Sequence, residues 1–325
     1  MSGGKAGAAT LLTRRSILAS ACVLPVACAM PGPRAEATAP GEELYDSHIH
    51  FFSNDFEHYP IDPRNAREPE EVFRARITAD PGLPEKIFPL WAAAGVTAGT
   101  GVQYSGAYKA DNSYVLDLAD RFAGKIRPEV IVNARDPESP AKLTEMVRSR
   151  HVSAARMTGF GNGTGNIAWL NSPTALNIWE TVQQLGLPVG ITFLPPKGQA
   201  ASLAAVKALA ERFPRSTIIL EHMGRLVDGG LHENHVALRA HENVHFKFTT
   251  NVIDELKLQG LSTAAFVRRV VDIFGGGRIM WGSDFGNTLR PYPGMVADAI
   301  AATSNLTGAE RRRLLHDNGA TMFKI

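Results

Sequence analysis

The chain has 325 residues, 44% hydrophobic and 20% charged, with 30 glycines and 20 prolines. That composition is globular rather than disordered, and the length suffices for a core that needs no disulfide staple. The formal charge of +2 gathers near the N-terminus, where Lys5, Arg14, Arg15 and Arg34 face only Glu36. The body beyond is nearly neutral and has no basic run, which argues against a nucleic-acid partner.

Residues 1–39 read as an address. Thr13-Arg14-Arg15-Ser16-Ile17-Leu18 opens an apolar run to Met30, broken at Pro25 and followed by Pro31. Small-residue sites follow at Ala35-Glu36-Ala37 and Ala37-Thr38-Ala39. Together these read as a twin-arginine export signal, implying a periplasmic or secreted protein whose remaining residues, 40–325, form one domain. The run is too short and too interrupted for a stable membrane span. Cys22 and Cys28, the only cysteines, lie inside it; a lipid anchor there ranks second to export. The body therefore has no disulfide, no thiolate nucleophile and no cysteine-based zinc site.

From residue 44 onward, β-rich runs alternate with amphipathic ones. Strands are expected at Leu44–His50, Val96–Tyr104, Ile126–Asn133, Val152–Thr158, Pro188–Leu194, Ser216–His222, Val244–Thr250 and Arg278–Asp284. Helical spacing marks Tyr114–Phe122, Ala141–Arg150, Thr174–Leu185, Ser202–Phe213 and Ala264–Phe274, with stops at Gly95, Gly124, Gly186, Pro214 and Gly275. Such alternation predicts an α/β fold, a single-domain (β/α)8 TIM barrel, ahead of an open doubly wound sheet. Residues 51–90, rich in proline, read as a loop or small excursion over the barrel mouth.

In such a barrel the chemistry sits at the C-terminal ends of the strands. His48 and His50 end the first strand and, two residues apart, point the same way. Glu221 and His222 end the sixth, and Asp284 ends the eighth. Paired imidazoles at a barrel mouth suit a metal or the polarising of a carbonyl, and a buried Asp suits a general base. His232, His235, His241 and His245 read as a solvated stretch, and His58, His151 and His316 show no partner.

Four segments carry a resemblance. They are Asp46-Ser47-His48-Ile49-His50-Phe51, Val102-Gln103-Tyr104-Ser105 with Tyr108 and Asp111-Asn112-Ser113, Glu221-His222-Met223-Gly224-Arg225, and Met280-Trp281-Gly282-Ser283-Asp284. With these the chain resembles the amidohydrolase superfamily, in its amidohydrolase-related branch. Within that branch it is most similar to the group of 2-pyrone-4,6-dicarboxylate and sugar-acid lactonases. The resemblance implies a hydrolase that opens a cyclic ester of a small, carboxylate-bearing molecule. Asp284 would activate water, while His48, His50 and His222 polarise the carbonyl. The alternative is a metal-dependent decarboxylase or hydratase on the same scaffold. A non-catalytic binding protein is a third reading, disfavoured by the intact His48, His50, His222 and Asp284.

The wider superfamily's further metal ligands, a Lys or Glu on strand four and a His on strand five, have no counterpart in Met157-Thr158 or in Gly190–Leu194. A binuclear site is not expected. A single divalent metal, zinc first, on His48, His50, His222 and Asp284 stays open beside a site that requires none. The resemblance implies that Arg225 and Arg156 hold a substrate carboxylate. Arg150 shares the spacing of the lactonases' arginine pair but reads equally well as a helix-end cation. Gln103, Ser105 and Tyr108 are expected to orient substrate. Two departures bear on substrate identity: Thr249-Thr250-Asn251 where the lactonases add an arginine, and Arg67-Glu68-Pro69 where they carry an aromatic. The glycine-rich loop 159–165 is expected to act as a lid. Oligomeric state is left open.

Overall fold

The computed structural model describes residues 42–324, apart from 63, 65–67, 160–165, 194–198 and 227–228. The export segment with both cysteines, Arg67 and most of the glycine-rich loop lie outside the described residues.

The strands are β1 (Leu44–Ile49), β2 (Val96–Val102), β3 (Ile126–Ile131), β4 (Ala154–Thr158), β5 (Val189–Thr192), β6 (Ile218–Leu220), β7 (Val244–Thr249) and β8 (Ile279–Gly282). All eight expected strands are present, and they form one parallel sheet in sequence order. The sheet closes on itself just past β8: Asp284 N donates to His48 O at 2.7 Å, and His50 N to Phe285 O at 2.9 Å. This is the (β/α)8 barrel that the alternation predicts. Seven strands stop one or two residues short of their expected C-terminal ends, while β4 ends at Thr158 as expected.

Helices wrap the barrel: α1 (Glu70–Ala79), α2 (Pro84–Ala94), α3 (Ser113–Arg121), α4 (Ser139–Ser149), α5 (Ala168–Asn171), α6 (Pro173–Leu185) and α7 (Gln199–Arg212). They continue with α8 (Glu233–Ala237), α9 (Thr250–Leu258), α10 (Thr263–Phe274), α11 (Tyr292–Ala302), α12 (Gly308–Arg312) and α13 (Asn318–Met322). Some strands read as near-continuous hydrophobic runs, such as Ile279-Met280-Trp281, all buried. Helices α2 and α6 end at Gly95 and Gly186 in left-handed conformation, as their stop signals predict.

Residues 51–90 are not simply a loop. They hold α1 and the start of α2. Helix α1 is charge-rich and buries only Phe73 and Ile77, so its apolar periodicity is faint among the surrounding prolines. It docks at the mouth: Phe73 stacks on Tyr104 at 6.2 Å, Arg76 lies over the Phe52 and Phe73 rings, and Arg76 Nη1 donates to Gly286 O at 3.3 Å.

The barrel interior is layered. At its base Tyr45, Ala154, Ile219 and Met280 pack with Phe323, which follows α13 and stacks on Tyr45. Above lies a buried charged layer. Lys247 Nζ donates to Glu129 Oε2 at 2.5 Å, and Arg156 pairs with Glu221. The candidate site rests on this layer.

Candidate active site

Residues 46–50 place three polar side chains on one face of β1. Asp46 ties that strand to β8. Its Oδ1 accepts from His48 N at 3.2 Å and Ser283 N at 2.8 Å, and its Oδ2 from the Tyr292 hydroxyl at 3.0 Å. Burial pushes the Asp46 carboxyl up to about 6 despite those donors. Close approach requires Gly282 at this seam, because a Cβ there would lie 2.4 Å from the Cβ of His48.

After β6 the chain turns sharply through Glu221–Gly224. His222, Met223 and Arg225 all take positive φ, at 53°, 57° and 60°, as does Asp284 at 57°. Such conformations cost side-chain-bearing residues about 1–3 kcal/mol each and cluster where a site demands a particular aim. Here they turn His222 and Asp284 inward from the ends of β6 and β8, which flank β7.

Hydrogen bonds assign the imidazole protons. His50 Nδ1 lies 2.7 Å from Val102 O; a carbonyl only accepts, so Nδ1 carries the proton and Nε2 is bare. His222 Nδ1 lies 2.8 Å from the Thr249 hydroxyl. Glu221 Oε1 faces His48 Nδ1 at 3.9 Å, favouring a proton on that nitrogen. Burial holds His48 well below the usual histidine range. Burial, with the Arg225 cation adding to it, takes His222 down to about 3. Both are therefore neutral at pH 7.

Asp284 is fully buried. Its Oδ2 accepts from Asn287 Nδ2 at 2.9 Å, the Thr288 hydroxyl at 2.7 Å and Asn251 Nδ2 at 3.4 Å. Its Oδ1 has no hydrogen-bond partner and faces the Nε2 atoms of His48 and His50, each at 3.4 Å. Burial raises its pKa, but the interactions with His50, His222 and His48 lower it by more, so the net direction is well below the usual carboxylate range.

These atoms fit a metal. His48, His50 and Asp284 offer ligand atoms within 4.8 Å of one another, as do His48, Glu221 and His222. The Nε2 atoms of His48 and His50 stand 3.2 Å apart beside an anionic oxygen. Bare lone pairs buried together leave room for one cation or a shared proton.

The structure brings His48, His50, His222 and Asp284 together as the sequence predicts. Arg156 also reaches the barrel centre, but its guanidinium is engaged by Glu221 and by the Gln103 carbonyl. Arg225 is half-buried on the turn directly after His222. Arg150 is not at the site. It follows α4, at the end of the barrel where the strands begin, and pairs with Asp117 and Asp120. Gln103 is spent on the Tyr104 amide and the Asp111 carbonyl. The Tyr108 hydroxyl is buried and accepts from Ser53 N at 2.9 Å; Ser105 is half-buried beside it in sequence. His235, expected to be solvated, is fully buried, and its Nδ1 accepts from His232 N. Sequence reasoning assigned no role to Thr249, Asn251, Asn287 and Thr288. Their only signal is position, at the end of β7 or just beyond β7 and β8. Tyr104 reaches the same ring, its hydroxyl donating to Asn287 Oδ1 at 3.0 Å.

The L-fucono-1,5-lactonase of Burkholderia ambifaria is 27% identical over 256 residues, covering 74% of this chain and 79% of the relative. Among solved structures, a zinc-bound amidohydrolase from Burkholderia multivorans superposes with a TM-score of 0.67 at 19% identity, covering 86% of this chain and 99% of that one. A probable 2-pyrone-4,6-dicarboxylic acid hydrolase from Acinetobacter baumannii, with citric acid bound, also gives 0.67, at 16% identity over 86% of this chain and 99% of that one. The 2,6-dihydroxybenzoate decarboxylase of Rhizobium gives 0.62, at 14% identity over 87% and 98%. These structural likenesses establish the fold. The amidohydrolase family profile matches residues 45–325, from β1 to the C-terminus, and the chain belongs to that family.

Proposed function

We propose that the protein hydrolyses a lactone, a cyclic ester of a small polar molecule, with Asp284 as the base that activates water. The observation that carries this reading is Asp284 itself. It is a buried, ionised carboxylate with one oxygen fixed by donors and the other aimed, without a hydrogen bond, at the His48 and His50 imidazoles. The L-fucono-1,5-lactonase relative supports the substrate class.

In this mechanism the water oxygen bonds to the lactone carbonyl carbon as Asp284 Oδ1 takes its proton. The ring C–O bond then breaks, and the proton passes to the leaving alkoxide, giving an open-chain hydroxy acid. The imidazoles of His48, His50 and His222 line the oxyanion side. Lone pairs alone do not stabilise an oxyanion, so that side needs a cation or an imidazole N–H. Asp284 Oδ1 with the imidazole nitrogens of His48, His50 and His222 would hold a divalent metal, zinc first, which when bound would supply Lewis-acid polarisation of the carbonyl. Arg225, next to His222, offers a fork to a substrate carboxylate or hydroxyls. Arg156 is committed to Glu221 and takes no part in substrate recognition in this reading.

The test is a panel of 1,4- and 1,5-lactones with acid release as readout, run beside aromatic carboxylates with carbon dioxide as readout. Lactone opening supports the proposal. Carbon dioxide release without lactone turnover replaces it with the decarboxylase reading, which the metal-compatible donor set also favours. We propose further that residues 1–39 export the protein through the twin-arginine route. Cell fractionation with Arg14→Lys and Arg15→Lys tests this, retention in the cytoplasm being the expected result. Among the described residues, no helix is long and apolar enough to cross a membrane.

A further inference from the structure

Beyond the residues that would touch substrate, a one-way chain of hydrogen bonds joins two of them. It starts at the charge. Asn251 faces Asp284 Oδ2 at 3.4 Å. A carboxylate only accepts, so the Asn251 amide nitrogen must point there and its Oδ1 must point away. That Oδ1 lies 2.6 Å from the Thr249 hydroxyl. The amide oxygen also only accepts, so the single hydroxyl hydrogen of Thr249 is committed to it. The Thr249 oxygen is then an acceptor for His222 Nδ1, 2.8 Å away. His222 must carry its proton on Nδ1, and its Nε2 is left bare.

A second observation singles out Thr249. It occupies the N-cap of α9, where a threonine hydroxyl ordinarily accepts from the first turn of its helix. Here it makes no capping bond. The hydroxyl is fully buried and turned sideways to His222 and Asn251.

We infer that Thr249 and Asn251 are positioning residues that link the Asp284 carboxylate to His222 and fix the tautomer of His222, presenting a bare Nε2 to the site. The inference rests on the reading of Asp284 and His222 as working groups. It does not depend on which lactone is turned over. Thr249 acts through His222, and Asn251 acts through both.

The experiment combines imidazole nitrogen NMR on chelator-treated, 15N-histidine-labelled protein with kinetics of Thr249→Val, Thr249→Ser and Asn251→Ala. In the wild type the His222 Nε2 resonance is expected to be that of a nitrogen without hydrogen, and Thr249→Val is expected to mix the two tautomers. Loss of such an outer hydrogen bond typically costs about tenfold to a hundredfold in activity or metal affinity. The expected loss in Thr249→Val is of that size in kcat with KM nearly unchanged, and Thr249→Ser restores it. A proton on Nε2 in the wild type overturns the inference, and so does a Thr249→Val enzyme with unchanged tautomer and kcat. Should Thr249→Val fail to fold, the wild-type spectrum and Thr249→Ser still decide. If no lactone is hydrolysed, the functional proposal fails while the spectrum still tests this inference.

Discussion

Arg156 grips Glu221 as a fork, its Nε donating to Oε1 at 2.9 Å and its Nη2 to Oε2 at 2.7 Å, both residues buried. The pair joins β4 to the turn after β6 and holds the carboxylate that faces His48. Burial disfavours the Glu221 charge, but the Arg156 cation, with His48 and Lys247, holds its pKa well below the usual range. Removing one partner of such a pair leaves a buried charge uncompensated, at a cost of about 3–5 kcal/mol. Arg156→Met is therefore expected to lower the denaturant midpoint sharply and to affect carboxylate-bearing and neutral lactones alike. A normal midpoint with a raised KM for acidic lactones alone would assign Arg156 to the substrate instead.

Strand β5 carries Gly190 because the charged layer fills the space beside it. A Cβ there would stand 1.9 Å from Glu129 Oε1 and 3.1 Å from Glu221 Oε1. Burial raises Glu129 to about 7, against the Lys247 cation that its other oxygen binds. Gly190→Ala must displace this carboxylate. Overpacking of this kind typically costs about 1–3 kcal/mol, to be read from equilibrium unfolding. A variant as stable as the wild type would show that the layer is loosely held.

Much of this architecture is legible in the sequence. The eight strands announce themselves because they are short β-rich runs alternating with amphipathic helical ones, and the chemistry-bearing ends are found by asking which strands finish in His, Glu or Asp. The charged layer is not legible. Glu129 and Lys247 lie 118 positions apart, and each looks like an ordinary outward-facing residue until the barrel closes. Arg156 and Arg150 look alike in the chain; only the fold sends one inward and leaves the other among surface carboxylates. Thr249 reads as a helix cap, and nothing local reveals that its hydroxyl turns to His222.

Acid should destabilise the fold in a defined window. Burial lowers His235 and His245 to about 4 from the ordinary 6.5, the nearby Arg278 adding to the effect at His245. Between those values the unfolded chain binds protons that the folded protein excludes, so stability falls as pH drops from 6.5 toward 4. Each such group contributes a slope of up to about 1.4 kcal/mol per pH unit. His245→Gln lies well away from Asp284 in sequence and is expected to flatten the stability profile over this range. An unchanged slope would mean that His245 protonates freely in the folded state.

Arg225 follows His222 on the strained turn, with φ at 60°. If it recognises a substrate carboxylate, Arg225→Met removes a hydrogen bond to a charged group, typically worth about 1.5–3 kcal/mol. KM for acidic lactones is then expected to rise by roughly tenfold to a hundredfold while neutral lactones are little affected. An equal effect on both would show that the residue shapes the turn rather than the specificity.

The account turns on Asp284, and the most direct measurement is the lactone hydrolysis rate of Asp284→Asn beside the wild type, each shown to be folded by circular dichroism. Loss of a general base typically costs about 10²–10⁴ in rate. The account predicts wild-type turnover well above buffer and a loss of that size in kcat for Asp284→Asn. A folded Asp284→Asn protein that opens lactones at the wild-type rate would contradict it.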